Sequence, residues 1–93
     1  MIVHLAMHTP KPEGIEPLIG SMQLFAAAGR KQPGLQEVHT MRDVESGKLL
    51  GLAIWESREA FERGVLAMRA AVEDDPFLDW EEGPPEVYVF EDV

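Results

Sequence analysis

Residues 48–72 read KLLGLAIWESREAFERGVLAMRAAV and describe a strand that runs directly into a helix. The apolar run before the first glutamate predicts a strand over residues 48–55, and Ser57 is the predicted N-cap of the helix that follows. Large apolar residues recur after the cap at helical spacing and predict one buried face over about residues 58–73. That face consists of Phe61, Val65, Met68 and Val72.

The spacing of apolar residues in the rest of the chain predicts three more strands and one more helix. The strands are predicted at residues 1–9, 35–42 and 86–91, and the helix at residues 14–31. Glu45-Ser46-Gly47 predicts a hairpin turn between the second and third strands, with glycine available for a positive φ. The order βαββαβ predicts an α+β, ferredoxin-like fold in which two helices cover one face of a four-stranded antiparallel sheet, as a single domain over residues 1–93.

Composition and charge limit the function. The chain has 93 residues, 45% of them apolar, and no cysteine, which excludes disulfides, Cys-ligated metals and thiol nucleophiles. Its net charge is −9, and residues 70–93 hold nine acidic and no basic side chains. Nucleic acids and anionic membranes are therefore not expected as partners. The sequence has no basic leader and no apolar run long enough to cross a membrane, so we expect a cytoplasmic protein.

Both faces of the predicted sheet are apolar. We assign the more aliphatic rows to the helix side, namely Val3, Leu5, Met7, Val38, Thr40, Leu50, Leu52, Ile54, Val87 and Val89. The opposite face would then hold Ile2, His4, Ala6, His8, Glu37, His39, Met41, Leu49, Gly51, Ala53, Trp55, Tyr88 and Phe90. An apolar face of this size usually marks an interaction site, and a second copy of the same sheet is the simplest cover. The sequence thus predicts a homodimer.

The segment Trp55-Glu56-Ser57, followed by a helix that opens on Ala60-Phe61, resembles the antibiotic-biosynthesis-monooxygenase superfamily of dimeric α/β barrels. The element order, the chain length and a Pro33-Gly34 helix end match the same pattern over essentially the whole chain. The resemblance implies a homodimer whose two sheets face each other. Some members oxidise quinols or phenols without metal or flavin, others degrade haem, and many have no assigned activity.

Haem degradation is not expected from the resemblance. That branch uses an asparagine late in the first strand, a tryptophan early in the second helix, and a histidine about ten residues further on. This chain has no asparagine, Met7 stands near the first position, Gly64 stands at the second, and no histidine follows His39.

Two hypotheses about function follow. The first is a cofactor-independent monooxygenase that acts on a small quinol or phenol in an apolar cavity, with no metal and no other cofactor. His4, His39 and Tyr88 are its candidate catalytic residues. The candidate substrate-binding residues are Trp55 as an aromatic wall, Arg69 as an anion holder, and Met7. The second hypothesis is a non-catalytic dimeric module that binds a small apolar ligand or a protein; a structural role alone is a third option.

Other polar residues are assigned simpler roles. His4 and His39 could meet across the sheet with Glu37 in a metal or acid–base site, but hydrogen-bonded interface histidines are the favoured interpretation. The adjacent acids Asp74-Asp75 and Glu81-Glu82 are expected to be solvated loop residues. Trp80, in the same predicted loop, would either cover the edge of a pocket or anchor the loop by packing.

Overall fold

The computed structural model describes residues 1–93, and its four strands form one antiparallel sheet. The strand order is β2-β3-β1-β4, so the first strand lies between the third and the fourth. The elements along the chain are β1 (Ile2–His8), a 3-10 turn (Pro12–Gly14), α1 (Ile15–Arg30), β2 (Leu35–Arg42), β3 (Leu49–Trp55), α2 (Arg58–Ala70), α3 (Phe77–Trp80) and β4 (Glu86–Glu91). The predicted ferredoxin-like βαββαβ order is confirmed, with one short additional helix.

The local signals in the sequence account for most element boundaries. The side chain of Ser57 accepts a hydrogen bond from the backbone N–H of Ala60, at 3.1 Å, and so caps α2 as predicted. Gly47 has a φ of +79° in the turn between β2 and β3, a conformation that glycine adopts without strain. The predicted bounds of β2 and β4 are confirmed, whereas α2 ends at Ala70, a few residues earlier than its apolar spacing indicated.

The face assignment was wrong for β1 and β3. His4 pairs with Ala53, and Ile2 pairs with Trp55, and all four of these residues are buried beneath the helices. The alternate rows of the same strands therefore face outward, namely Val3, Leu5, Met7, Leu50, Leu52 and Ile54. The assignment was correct for β2 and β4: in register, Val38 lies opposite Ala53, and Val89 lies opposite His4.

Complementary side-chain volumes explain this arrangement. The helices carry large residues on their buried faces, so the sheet presents small residues where the helices lie closest. A Cβ built on Gly51 would lie 3.6 Å from Cε of Met22. Large residues of the same rows, Ile2, Leu49 and Trp55, lie towards the strand ends. Trp55 is fully buried, and a Cβ built on Gly64 of α2 would overlap its indole ring. The absence of a side chain at Gly64 therefore lets α2 lie directly on that ring.

The buried residues form two clusters, each with its own tryptophan. The first lies at the Trp55 end and contains Ile2, Ala53, Trp55, Ala60 and Met68. The second contains Leu18, Met22 and Leu49, with Trp80 packed against it. Trp80 thus anchors its segment by packing, and its backbone carbonyl accepts a hydrogen bond from the N–H of Lys11, at 2.8 Å.

The outer face of the sheet, opposite the helices, is apolar and has no cover within one chain. Its two central strands contribute the half-buried rows Val3, Leu5, Met7, Leu50, Leu52 and Ile54. On the flanking strands Met41, Tyr88 and Phe90 are each about half exposed, at 52%, 48% and 52%. No helix combines the length and the apolar character needed to cross a membrane.

Candidate functional site

A cavity of about 200 Å³ lies between the sheet and the two long helices. Its floor is formed by small residues of the central strands, including Ala6, Gly51 and Ala53, and its roof includes Phe25 of α1 and Met68 of α2. Because the floor residues have little or no side chain, the helices leave space above them that no protein atom fills. The cavity is mostly apolar and is large enough for a small aromatic molecule.

His4 is the most buried polar side chain of the central strands that borders this cavity. It is only 8% exposed, and its ring packs edge-on against Phe61 with ring centres 5.1 Å apart. Neither ring nitrogen makes a hydrogen bond within the protein. A buried imidazole normally has such a partner, so His4 offers an unused hydrogen-bonding group to a molecule in the cavity.

Arg69, near the end of α2, brings a positive charge to the same cavity. The residue is exposed, so it stands where the cavity meets solvent. Burial lowers the pKa of His4, and the nearby charge of Arg69 lowers it further. His4 is therefore a neutral imidazole at neutral pH, while Arg69 supplies a charge that favours anionic groups.

The lowered pKa of His4 predicts a pH dependence of folding. As the pH falls below about 6.5, the ordinary histidine pKa, His4 of the unfolded chain binds a proton. In the folded chain the lowered pKa keeps His4 neutral until a lower pH is reached. The free energy of unfolding should therefore fall as the pH drops through that range. The variant His4→Gln should show a shallower fall, measured by urea unfolding between about pH 8 and pH 5. The exposed His39→Gln variant is the control, and equal slopes for His4→Gln and the wild type would contradict the prediction.

His8 borders the cavity at the end of β1 and is paired with Glu81. Nδ1 of His8 lies 2.8 Å from Oε1 of Glu81, and the Glu81 side chain is only 4% exposed. The expectation that Glu81 is a solvated loop residue was therefore wrong. Its burial has a backbone cause, because the N–H of Glu82 donates to the carbonyl of Thr9 at 2.8 Å and draws this segment against the end of β1.

Ser21 and Asp75 form a third polar contact beside the cavity. Oγ of the buried Ser21 donates to Oδ2 of Asp75 at 2.7 Å and so ties α1 to the segment after α2. The hydroxyl is thereby engaged in a structural hydrogen bond. No three His, Asp or Glu side chains converge in a way that could hold a metal ion.

The structure places His39 and Tyr88 on the outer face. His39 is among the residues that border the cavity, but its Nε2 lies 3.1 Å from Oε1 of Glu37, and both side chains are exposed. The alternative in which His39 meets His4 does not occur, because β2 pairs His39 with Leu52 and directs the two histidines to opposite faces. The favoured interpretation, hydrogen-bonded histidines on the outer face, was correct for His39 and wrong for His4, which lies beneath the helices without a hydrogen-bond partner. The hydroxyl of Tyr88 donates to Oε2 of Glu86 at 3.2 Å.

The structure places Trp55 and Met7 away from the cavity wall. Trp55 lies in the core under α2, and its Nε1 is buried without a hydrogen-bond partner. Met7 lies on the outer face, between Leu50 and Glu86 in the sheet register. Of the six residues chosen from the sequence, the cavity thus brings together the side chains of His4 and Arg69.

Sequence reasoning missed His8 and Glu81 as a pair. The available signal was that His8 shares a strand face with His4, so both must lie on the same side of the sheet. No local pattern marks Glu81, because its partner lies 73 positions away in the chain.

Comparison with solved structures shows several chains of the same shape. A candidate antibiotic biosynthesis monooxygenase from Nitrosomonas europaea is 13% identical, with a TM-score of 0.77, and the match covers 100% of this chain and 99% of the other. Rv0793 from Mycobacterium tuberculosis is 18% identical, with a TM-score of 0.79 and coverage of 99% and 94%. SnoaB from Streptomyces nogalater, a cofactor-independent oxygenase, is 18% identical, with a TM-score of 0.69 and coverage of 99% and 92%.

Sequence comparison adds nothing to these matches, since neither a family model nor a curated protein matches the chain. At such low identity the structural similarity establishes the fold, and the residues in the cavity must be interpreted on their own chemistry.

Proposed function

Because the chain has the fold of the antibiotic-biosynthesis-monooxygenase superfamily, as its sequence predicted, we propose that it is a cofactor-independent monooxygenase. Its substrate is a small quinol or phenol held in the cavity beneath the helices. The observation that carries the proposal is the cavity itself: about 200 Å³ of mostly apolar space, bordered by the unpartnered imidazole of His4 and the charge of Arg69. We place this activity in the cytoplasm, the compartment that the sequence predicts.

The chemistry requires the substrate to act as its own reductant. A hydroxyarene and O₂ give a quinone and one water, so the arene loses four electrons and O₂ gains them. One oxygen atom enters the ring and the other leaves as water. Ionisation of the phenol makes it a better electron donor, so the protein contributes by favouring the phenolate and excluding bulk water.

Arg69 and His4 have separate roles in this proposal. The charge of Arg69 favours an anionic ligand near the opening of the cavity. The neutral imidazole of His4 forms a hydrogen bond with a ligand oxygen, since it has no partner within the protein. The apolar walls of the cavity, including Phe25 and Met68, contact the aromatic ring of the ligand.

A second copy of the chain completes the proposed protein. The outer face carries six half-buried aliphatic residues on its central strands, with Tyr88 and Phe90 beside them. A second copy can cover such a face without any other partner, because a two-fold axis places the same apolar patch of both subunits face to face. The homodimer is therefore part of the proposal.

A non-catalytic binding module is the second candidate. One observation favours it: His39 and Tyr88, two of the three side chains predicted to be catalytic, lie on the outer face. In that case the cavity would bind the same aromatic ligands without consuming O₂.

Oxygen uptake with a panel of quinols and phenols tests the proposal. The wild-type protein should consume one O₂ for each quinone formed, without added metal or flavin. The variant Arg69→Gln should raise the KM for these phenols about two- to fivefold, because an exposed charge contributes roughly one kcal/mol or less to holding an anion. Arg63→Gln is the matched control, since Arg63 is exposed on the same helix and does not border the cavity. Ligand binding with no oxygen uptake across the panel would favour the binding module.

A further inference from the structure

The pair formed by His8 and Glu81 is unusual for a structural contact. The carboxylate of Glu81 has one side-chain hydrogen bond, to His8, although its side chain is only 4% exposed. Burying a carboxylate costs several kcal/mol, and a well-packed apolar residue of similar volume at such a position is often at least as stable. Stability alone therefore gives little reason to hold this pair.

Backbone contacts hold the Glu81 segment in place. A bridge joins Glu81 to Pro10, and hydrogen bonds flank the bridge on both sides. A Cβ built on Gly14 would overlap the backbone of Trp80, so the 3-10 turn lies directly against this segment. The backbone of Glu81 is thus held at the end of β1 by contacts that do not involve His8.

The contact also selects the tautomer of His8. An ionised carboxylate can only accept hydrogen bonds, so Nδ1 of His8 must carry the proton that it shares with Glu81. In the neutral ring, Nε2 is then the nitrogen with the free lone pair; it makes no hydrogen bond within the protein, and His8 borders the cavity. This is the arrangement of a histidine general base oriented by a carboxylate.

We infer that His8 accepts the proton of a hydroxyl ligand in the cavity and that Glu81 is the positioning residue for His8. The inference rests on the proposed function and deepens it. The O–H bond of the ligand breaks and leaves its electron pair on oxygen. The proton forms a new Nε2–H bond, and the resulting imidazolium keeps its Nδ1–H bond to Glu81.

The spacing of the two histidines defines the ligand class. His4 and His8 lie on one strand face, four residues apart, so strand geometry sets their Cα atoms about 13 Å apart. For parallel side chains at that spacing, two hydrogen bonds of about 2.9 Å leave roughly 7 Å for the ligand itself. That length fits a flat hydroxyarene with its hydroxyl at His8 and an acceptor oxygen at the opposite end, near His4 and Arg69.

The probe para-nitrophenol has this shape, and its phenolate form absorbs visible light. We expect the bound probe to be largely phenolate in the wild-type protein, and the His8 nitrogens to change from the Nδ1–H tautomer to imidazolium on binding, as seen by long-range ¹H–¹⁵N NMR. In Glu81→Gln the probe should still bind, but the ratio of bound phenolate to bound phenol should fall about tenfold or more, and the apo tautomer should shift. His8→Gln should lose the bound phenolate. Glu82→Gln is the matched control, since Glu82 is the exposed neighbour.

Three results would overturn the inference. If Glu81→Gln keeps both the bound phenolate and the wild-type His8 nitrogen shifts, Glu81 has no positioning role, while the proposed function stands. The same conclusion follows if Glu82→Gln behaves as Glu81→Gln does. If the probe fails to shift any resonance of the cavity residues Val38 and Met68 in the wild type, both the inference and the proposed aromatic site are wrong.

Discussion

Replacing Gly64 with alanine is expected to lower the free energy of unfolding by about 3 kcal/mol, although alanine is the better helix former. The added Cβ would overlap the ring of Trp55, which is fully buried and cannot move into free space. Helix propensity alone predicts the opposite sign, a gain of about 1 kcal/mol. Urea unfolding followed by circular dichroism measures the difference.

Gly20 provides the matched control for this prediction. It lies within α1, and a Cβ built on it would meet no atom within 4 Å. Gly20→Ala should therefore stabilise the chain by up to about 1 kcal/mol. If Gly64→Ala stabilises the protein as Gly20→Ala does, α2 does not pack as closely on Trp55 as described.

A double-mutant cycle separates the overlap from other effects of Gly64→Ala. Trp55→Phe removes the outer ring atoms that the new methyl group would meet, and it also removes the unpartnered Nε1. The double variant should lose less stability than the two single losses added together, with a coupling of about 1 kcal/mol or more. If the stability losses of the two single variants simply add in the double variant, the destabilisation by Gly64→Ala does not arise from contact with Trp55.

Replacing Leu5 with glutamate is expected to convert the proposed dimer into a monomer. Leu5 lies at the centre of the outer face, where the register pairs it with Leu52 on one side and Tyr88 on the other. Two-fold symmetry would bury one added carboxylate from each copy, in a chain whose net charge is already −9. The dissociation constant should rise at least about 100-fold, measured by sedimentation velocity at micromolar concentration.

Leu66→Glu is the control for the effect of charge alone. Leu66 is 64% exposed on α2, on the helix layer and away from the outer face. This variant should sediment as the wild type does. A wild-type protein that sediments as a monomer under the same conditions would contradict the dimer itself, and equal behaviour of both variants would place its interface elsewhere.

Secondary structure was predictable here because the relevant signals are local. A capping serine and a glycine with positive φ determine where α2 begins and where β2 turns into β3. The faces of β1 and β3 were not predictable in this way. Alternate residues of a strand face opposite sides of the sheet, and the sequence shows which side is buried only when one of the two rows is polar. In β1 and β3 both rows are mainly apolar. The choice depended on which row fits the volume of the helices, a property of the packed structure.

The candidate site was predictable in part for the same reason. His4 and His8 share a row, so their common side followed from strand geometry once β1 was recognised. The burial of Glu81 required knowledge of a contact 73 positions away, and the local acidic sequence indicated a solvated loop. The side chains of His39 and Tyr88 were assigned to the outer face correctly, but the cavity lies on the other face.

The separation of the two tryptophans gives the protein two intrinsic fluorophores in different surroundings. Trp55 is completely dehydrated within the cluster under α2, so its emission should be shifted to the blue. Trp80 is partly exposed and packs beside Phe77 in the short helix next to Glu81. Removing either indole leaves a single optical reporter for one end of the molecule. Ligand arrival near His8 and loosening of the α2 core can thus be followed by emission without any attached dye.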